Sequence, residues 1–278
     1  MGSRHLPDLR RADSLRWRRA SLLKLSAALL AVVAALAGGL MVHTGYIGGP
    51  VFAELPAGRP PGSDLRGVSA VLVSGDMGFN VGMGRQVADR LRQDGIPVVA
   101  VNSLAFFRHR RTPEEVQALI SAAIRRAMAL PGARRVVLIG QSFGADMLQV
   151  GLAGLAPDQR GHVMHVVLIV PEDQVEYRAS PSNVLNIGEP LLPALPTARR
   201  LDWVQTLCIR GTEETDSLCP LLSARNVAQV ILPGGHPLHR DSDLVYRVVR
   251  DSIIGTARGT GRRTAHSCTW LPAIRAAA

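Results

Sequence analysis

A chain of 278 residues is long enough for one α/β domain with a sizeable core and extensions at both ends. Its net charge is +10, but the surplus is uneven. Arg4, Arg10, Arg11, Arg16, Arg18, Arg19 and Lys24 oppose only Asp8 and Asp13 before the first apolar run, and Arg258, Arg262, Arg263 and Arg275 lie at the far end. The body between is close to neutral, so a nucleic-acid footprint on the fold is not supported.

Residues 1–24 read as a basic cytoplasmic region. Residues 25–42 are apolar or small and carry no charge, which predicts a signal peptide or a membrane anchor. The run is short for a spanning helix and long for a signal core. Basic residues ahead of it hold the N-terminus in the cytoplasm and send the rest across the membrane. Ala35-Leu36-Ala37 and Val51-Phe52-Ala53 both offer small-residue cleavage sites, and export with cleavage is the preferred reading. Residues 43–66, with glycine, proline and little pattern, read as a linker.

The body, residues 67–254, alternates strands and helices. Apolar runs predict strands at 68–74, 96–101, 135–139, 163–170, 204–209 and 227–232, and helical patterns fall at 80–94, 113–130, 145–155 and 241–254. Thr112-Pro113-Glu114-Glu115 is a strong helix start, with threonine as N-cap, proline at the first position and glutamate at the third. This order predicts an α/β fold, a mostly parallel sheet of about six strands with helices on both faces. The tail, residues 255–278, is rich in glycine, alanine and arginine without a period and reads as disordered.

The chemistry centres on Gly140-Gln141-Ser142-Phe143-Gly144, placed between a strand and a helix. Strand, G-x-S-x-G, helix is the pattern of a nucleophile elbow, which holds a serine clear of the sheet on a strained turn. The Phe143 amide then lies at a helix N-terminus, ready to donate to a developing oxyanion. Ligands of parallel sheets sit where the strands end, so the loops after the later strands should supply the serine's partners. One holds Glu213, Glu214 and Asp216; the other is Pro233-Gly234-Gly235-His236. The order serine, acid, histidine is that of an α/β-hydrolase fold. Ser142 is the nucleophile, His236 the base, and Asp216 the preferred acid, with Glu213 and Glu214 as runners-up in the same loop. The second oxyanion amide falls to Asp76 or Met77, in the loop after the first strand. The Asp76 side chain either receives a cationic group or bonds its own loop. Asp146 reads as a structural hydrogen-bonder.

Arg108, Arg110 and Arg111, behind Phe106 and Phe107, should share the rim of Ser142 and suit a phosphate at an apolar boundary; a solvated charge run is the plainer reading. Glu172, Asp173 and Glu176 can receive an ammonium group or serve as surface charge. Residues 180–196 occupy the place of a hydrolase lid, or form a packed loop. Cys208 and Cys219 flank the acid loop, and a disulfide between them would hold it toward His236; Cys268 in the tail is left over. The spacing offers no metal site, and no organic cofactor is called for.

Ser74-Gly75-Asp76, the Ser142 motif extended to Asp146, Cys219-Pro220-Leu221-Leu222 and Pro233-Gly234-Gly235-His236 together resemble the VirJ/AcvB bacterial virulence-protein family over residues 68–254. The resemblance implies a periplasmic α/β-hydrolase fold that cleaves aminoacyl-phosphatidylglycerol, typically the lysyl ester, a phospholipid substrate at the membrane surface. It also implies an association with type IV secretion components. A general carboxylesterase or thioesterase is the second reading. A non-catalytic secretion partner is the third, and the intact serine, acid, histidine order argues against it.

Overall fold

The computed structural model describes residues 9–179 and 191–259. The expectations for the tail beyond residue 259, for Cys268 and for most of the 180–196 connection lie outside the described residues. The chain divides into two units, one ending at His43 and one beginning at Thr44. The described part of the first is one helix, α1 (Leu9–His43), whose segment Lys24–His43 is long and apolar enough to cross a membrane.

In the second unit seven strands form one sheet: β1 (Phe52–Leu55), β2 (Val68–Val73), β3 (Val98–Val101), β4 (Arg135–Gln141), β5 (Val163–Ile169), β8 (Thr206–Gly211) and β9 (Val227–Leu232). Their spatial order is β1-β3-β2-β4-β5-β8-β9, all parallel except β1, which runs antiparallel to β3. A two-stranded ribbon, β6 (Gln174–Val175) with β7 (Leu192–Pro193), projects from the connection between β5 and β8. The helices are α2 (Met83–Gln93), α3 (Ser103–Phe106), α4 (Pro113–Ala129), α5 (Phe143–Ala153), α6 (Pro157–Arg160), α7 (Leu195–Ala198) and α8 (Ser242–Gly259).

Alternation along each strand splits the core into two layers. On β4, Val136 and Leu138 pack with Ile120, Ile124, Leu148 and Leu152 of α4 and α5, whereas Val137 and Ile139 face the layer of Val87, Leu91, Val249 and Ile253 from α2 and α8. Helices therefore cover both faces, as the pattern predicts. The α4 start is a complete capping box: Thr112 Oγ1 accepts the Glu115 N–H at 3.3 Å, and Glu115 Oε2 accepts the Thr112 N–H at 2.8 Å.

Two boundaries differ from the sequence reading. Within the presumed linker, residues 52–55 form the edge strand β1. The closing helix continues past residue 254 to Gly259: Ile254 and Ala257 pack against the core, and Arg258 reaches Asp64 Oδ2 at 2.9 Å.

Cys208 on β8 and Cys219 form a disulfide, both buried, which closes the loop carrying Glu213, Glu214 and Asp216. Closing a loop of this length should stabilise the fold by about 2–3 kcal/mol. In denaturant unfolding Cys208→Ser should therefore lose that much stability and show a lower midpoint, and reductant should lower wild-type stability without affecting the variant. Free-thiol titration of the unfolded, unreduced protein should count one reactive thiol; three would remove the bridge from the argument.

Candidate active site

The elbow begins where β4 meets α5. Ser142 adopts φ 54 and ψ −130, a conformation costing on the order of 1–3 kcal/mol for a residue with a side chain. Its surroundings over-determine it. The Ser142 N–H donates to the Ile169 carbonyl at 2.8 Å, and its carbonyl accepts the Ala145 and Asp146 N–H groups at 2.6 and 3.2 Å. The two glycines of the motif are required by contact rather than by dihedral. A Cβ on Gly140 would lie 2.6 Å from the Ala145 Cα, and one on Gly144 would collide with the Val73 and Ser74 carbonyls.

Raised on this turn, Ser142 Oγ lies 2.7 Å from His236 Nε2. The histidine stands in the turn after β9, stitched to the loop after β8: the Thr212 N–H donates to the Leu232 carbonyl at 2.9 Å, and the Glu213 N–H to the Gly234 carbonyl at 3.1 Å. This stitching selects the acid. Glu214 Oε1 accepts from His236 Nδ1 at 2.8 Å while its Oε2 accepts the Gly211 N–H at 2.7 Å, and its side chain is only 2% exposed. The preferred acid of the sequence reading, Asp216, is exposed and does not bond the imidazole. Its backbone instead turns toward the loop after β5, where its carbonyl accepts the Asp173 N–H at 2.7 Å and the neighbouring Ser217 bridges to Glu172. Glu213, the other runner-up, is exposed, with a carboxylate oxygen over Gly235. Glu214 holds Nδ1 as the donor and leaves Nε2 to accept the serine proton. Its hydrogen bond, opposed by burial, raises the His236 pKa above the usual 6.5, and the charges of Glu214, Glu172 and Asp216 add to it.

The expected oxyanion donors lie on either side of Ser142. Phe143 opens α5, where a first-turn N–H has no intrahelical acceptor. Residues 75–78 form a turn closed by the Gly78 N–H to the Gly75 carbonyl at 3.1 Å, with Asp76 and Met77 at its crest. A Cβ on Gly75 would stand 3.7 Å from the Ser142 Cβ, so this turn flanks the nucleophile.

Carboxylates gather around the imidazole. Glu172, reached through the positive-φ Val170, senses His236, Asp216, Asp76 and Glu214. Burial and these neighbouring negative charges raise its pKa; only His236 opposes. Asp146, buried on α5, accepts the Glu172 N–H at 2.9 Å, and burial followed by the Glu172 charge pushes its carboxyl well up. Sequence reasoning named each of these acids singly and missed their convergence, which depends on the pairing of two loops distant in the chain.

The arginines divide. Arg108 and Arg110 are exposed, and Arg108 Nη1 reaches the Tyr46 carbonyl at 3.5 Å. Arg111 is held structurally: it donates to the Phe106 carbonyl at 3.0 Å and to Glu115 at 3.0 Å, and its guanidinium stacks 4.4 Å from the Phe106 ring centre. Among the described residues no group of histidines, cysteines and acids has the arrangement of a metal site.

A model of the family described as bacterial virulence protein (VirJ) matches residues 67–256. No curated protein sequence matches the chain. Among solved structures, Est1E from Butyrivibrio proteoclasticus superposes with a TM-score of 0.54 at 12% identity, covering 74% of this chain and 94% of its own. Proline iminopeptidase from Mycobacterium smegmatis gives 0.51 at 11% identity, covering 75% and 95%. The lipase BlEst2 from Bacillus licheniformis gives 0.51 at 12%, covering 73% and 97%. At these identities the likeness shows the fold, that of the α/β hydrolases.

Proposed function

We propose that this chain, which belongs to the VirJ family of bacterial virulence proteins, is a periplasmic serine hydrolase that cleaves an aminoacyl ester of phosphatidylglycerol through Ser142, His236 and Glu214. The observation that carries the substrate class is the convergence of carboxylates on part-buried Glu172: Asp216, part-buried Asp76 and Glu214 all bear on it, and Glu172 itself acts on the imidazole of His236. Clustered, part-buried carboxylates are poorly stabilised as anions unless a cation joins them. The ammonium of an aminoacyl group is a cation that an ordinary fatty-acyl ester lacks. Arg108 and Arg110, exposed on the segment after α3, would meet the phosphate of the leaving alcohol. Export is supported by the apolar helix Lys24–His43 and by the disulfide, which suits an oxidising compartment.

In the reaction, Ser142 Oγ attacks the ester carbonyl as His236 Nε2 takes its proton, and Glu214 stabilises the imidazolium. The N–H of Phe143 and one from Asp76 or Met77 receive the oxyanion. His236 returns the proton to the leaving glycerol oxygen, and the aminoacyl group remains on Ser142. Water, deprotonated by the same histidine, then releases the amino acid and regenerates the hydroxyl.

The full chain, incubated in mixed micelles with a panel of aminoacyl-phosphatidylglycerols, uncharged fatty-acyl esters and thioesters, should release free amino acid, read by mass spectrometry, and should favour lysyl over neutral acyl groups. Turnover confined to the uncharged esters or thioesters would replace this reading with a general esterase or thioesterase. Silence on the whole panel would leave a binding protein.

A further inference from the structure

We infer that the outer edge of β9 is a dimer interface, on which a second copy of this chain adds its own β9 antiparallel across a two-fold axis at Gln229. The inference concerns assembly and stands apart from the reading of Ser142 as nucleophile.

β9 ends the sheet on its side, and among the described residues no strand pairs with its outer edge. Its sequence, Val227-Ala228-Gln229-Val230-Ile231-Leu232, holds no charge and no proline, and its register with β8 runs without a bulge. Edge strands are usually guarded by one of these devices, because an open row of N–H and C=O groups recruits another strand. The other edge is guarded: β1 spans only four residues and carries Glu54, which Arg126 reaches at 3.4 Å. On β9, by contrast, Gln229 and Ile231 are both exposed, Ile231 to 48%.

The ladder to β8 decides which backbone groups remain. The Thr206 N–H donates to the Asn226 carbonyl at 2.9 Å and the Thr212 N–H to the Leu232 carbonyl at 2.9 Å, with parallel register unbroken between them. Backbone groups alternate in direction along a strand, so the even-numbered residues of β9 bond β8. Gln229 and Ile231 turn both N–H and C=O outward. Val227 turns out its C=O, since its N–H is spent on the Ala224 carbonyl at 3.0 Å. Antiparallel pairing centred on Gln229 matches these groups to their own copies. Gln229 exchanges two bonds with the partner's Gln229, and each Ile231 N–H donates to the Val227 carbonyl across the axis. An edge that complements itself in this way closes as a two-fold dimer and goes no further.

The side chains agree with this register. Directly opposed residues share a face of the sheet, so the partner's Ile231 meets half-buried Val227. Beside Val227 is a cavity of about 170 Å³, lined on its apolar side by Ala198, Leu201, Leu221 and Leu222, with Leu221 45% exposed. Gln229 does not block the approach, because its Nε2 donates to the Leu222 carbonyl at 2.9 Å and the side chain is held along the face. Charge follows the same axis. Exposed Arg225, two residues before Val227, comes opposite the partner's turn at residues 233–235, where the exposed Glu213 carboxylate stands over Gly235.

The test reads assembly in the full chain with Cys268→Ser, held in mild detergent micelles. Analytical ultracentrifugation between about 1 and 200 µM should show monomer giving way to dimer, since a short edge interface supports binding in the micromolar range. Ile231→Lys should raise the dimer Kd at least about tenfold, because it sets a charge against Val227 and near Arg225 of the other copy. Adding Val227→Glu should bring Kd back to within about threefold of the starting protein, as the new carboxylate and ammonium then face each other twice. Matching unfolding midpoints exclude loss of fold as the cause. Oxidation of single cysteines separates this edge from any other contact. Gln229→Cys lies on the axis with its Cα atoms about 5.5 Å apart, within disulfide range, and should cross-link. Ile231→Cys, whose copies stand about 13 Å apart, should not, nor should Ala156→Cys, exposed between α5 and β5. A chain monomeric throughout the range overturns the proposal. So does a dimer that Ile231→Lys leaves intact, a double variant no tighter than Ile231→Lys, or cross-linking at residue 229 no greater than at residue 156. No substrate enters the test, so failure of the hydrolase reading would leave its result standing.

Discussion

Ser142→Ala should abolish turnover, with a loss on the order of 10⁴-fold or more, and should abolish labelling by a serine-reactive phosphonate. The size of the effect follows from geometry. Ser142 Oγ is 2.7 Å from His236 Nε2 on a turn held at positive φ, so the reactive oxygen and its base are already aligned. Alanine keeps the Cβ and the backbone bonds to Ile169, Ala145 and Asp146. The variant should therefore match wild type in circular dichroism and in unfolding midpoint. Label recovered on any other serine would sink the elbow assignment, and so would residual turnover near the wild-type rate.

The elbow was legible in the sequence because every part of it is local. An apolar strand, five residues of motif and a helix suffice, and the contacts made by Gly140 and Gly144 explain why those positions hold glycine. His236 was legible for a similar reason, as a histidine in a tight turn after the last strand. The choice among Glu213, Glu214 and Asp216 was not legible. It is decided by where the loop turns back, and that depends on bonds to β9 and to the loop after β5. Pairing of Asp216 and Ser217 with Glu172 and Asp173 carries Asp216 away from the imidazole, while the Gly211 N–H draws Glu214 inward. Distance along the chain also hid β1. Four residues among prolines and glycines give no periodic signal, and residues 52–55 become a strand only because β3 offers a free edge. Asn102, which donates its Nδ2 to the Thr44 carbonyl and its backbone N–H to the Val51 carbonyl, had no motif to announce it; its bonds span about half the chain's first hundred residues.

Glu214→Gln should lower kcat by about 10³–10⁴-fold, whereas Asp216→Asn should leave it within a few-fold of wild type. Glutamine keeps the shape of the side chain but can present an N–H to His236 Nδ1, which would move the imidazole proton to Nε2 and leave Ser142 without a base. The Gly211 N–H needs an acceptor at the other carboxylate oxygen, and a glutamine that satisfies it with its oxygen is forced into that wrong orientation. Asp216 makes no such bond and acts on the histidine only through its charge. The pH profile separates the two roles. Catalysis needs neutral His236, and its pKa in the free enzyme is raised, chiefly by the Glu214 hydrogen bond. The imidazolium therefore persists to higher pH, and kcat/KM should rise with pH along a limb whose midpoint lies above 6.5. Removing the Glu214 charge removes the largest cause of that shift, so the residual activity of Glu214→Gln should show its acid limb displaced to lower pH. Asp216→Asn should displace the limb in the same direction by less, with kcat nearly intact. A large loss of kcat in Asp216→Asn beside a mild Glu214→Gln would return the acid to Asp216, and would require the loop after β8 to turn over before the chemical step.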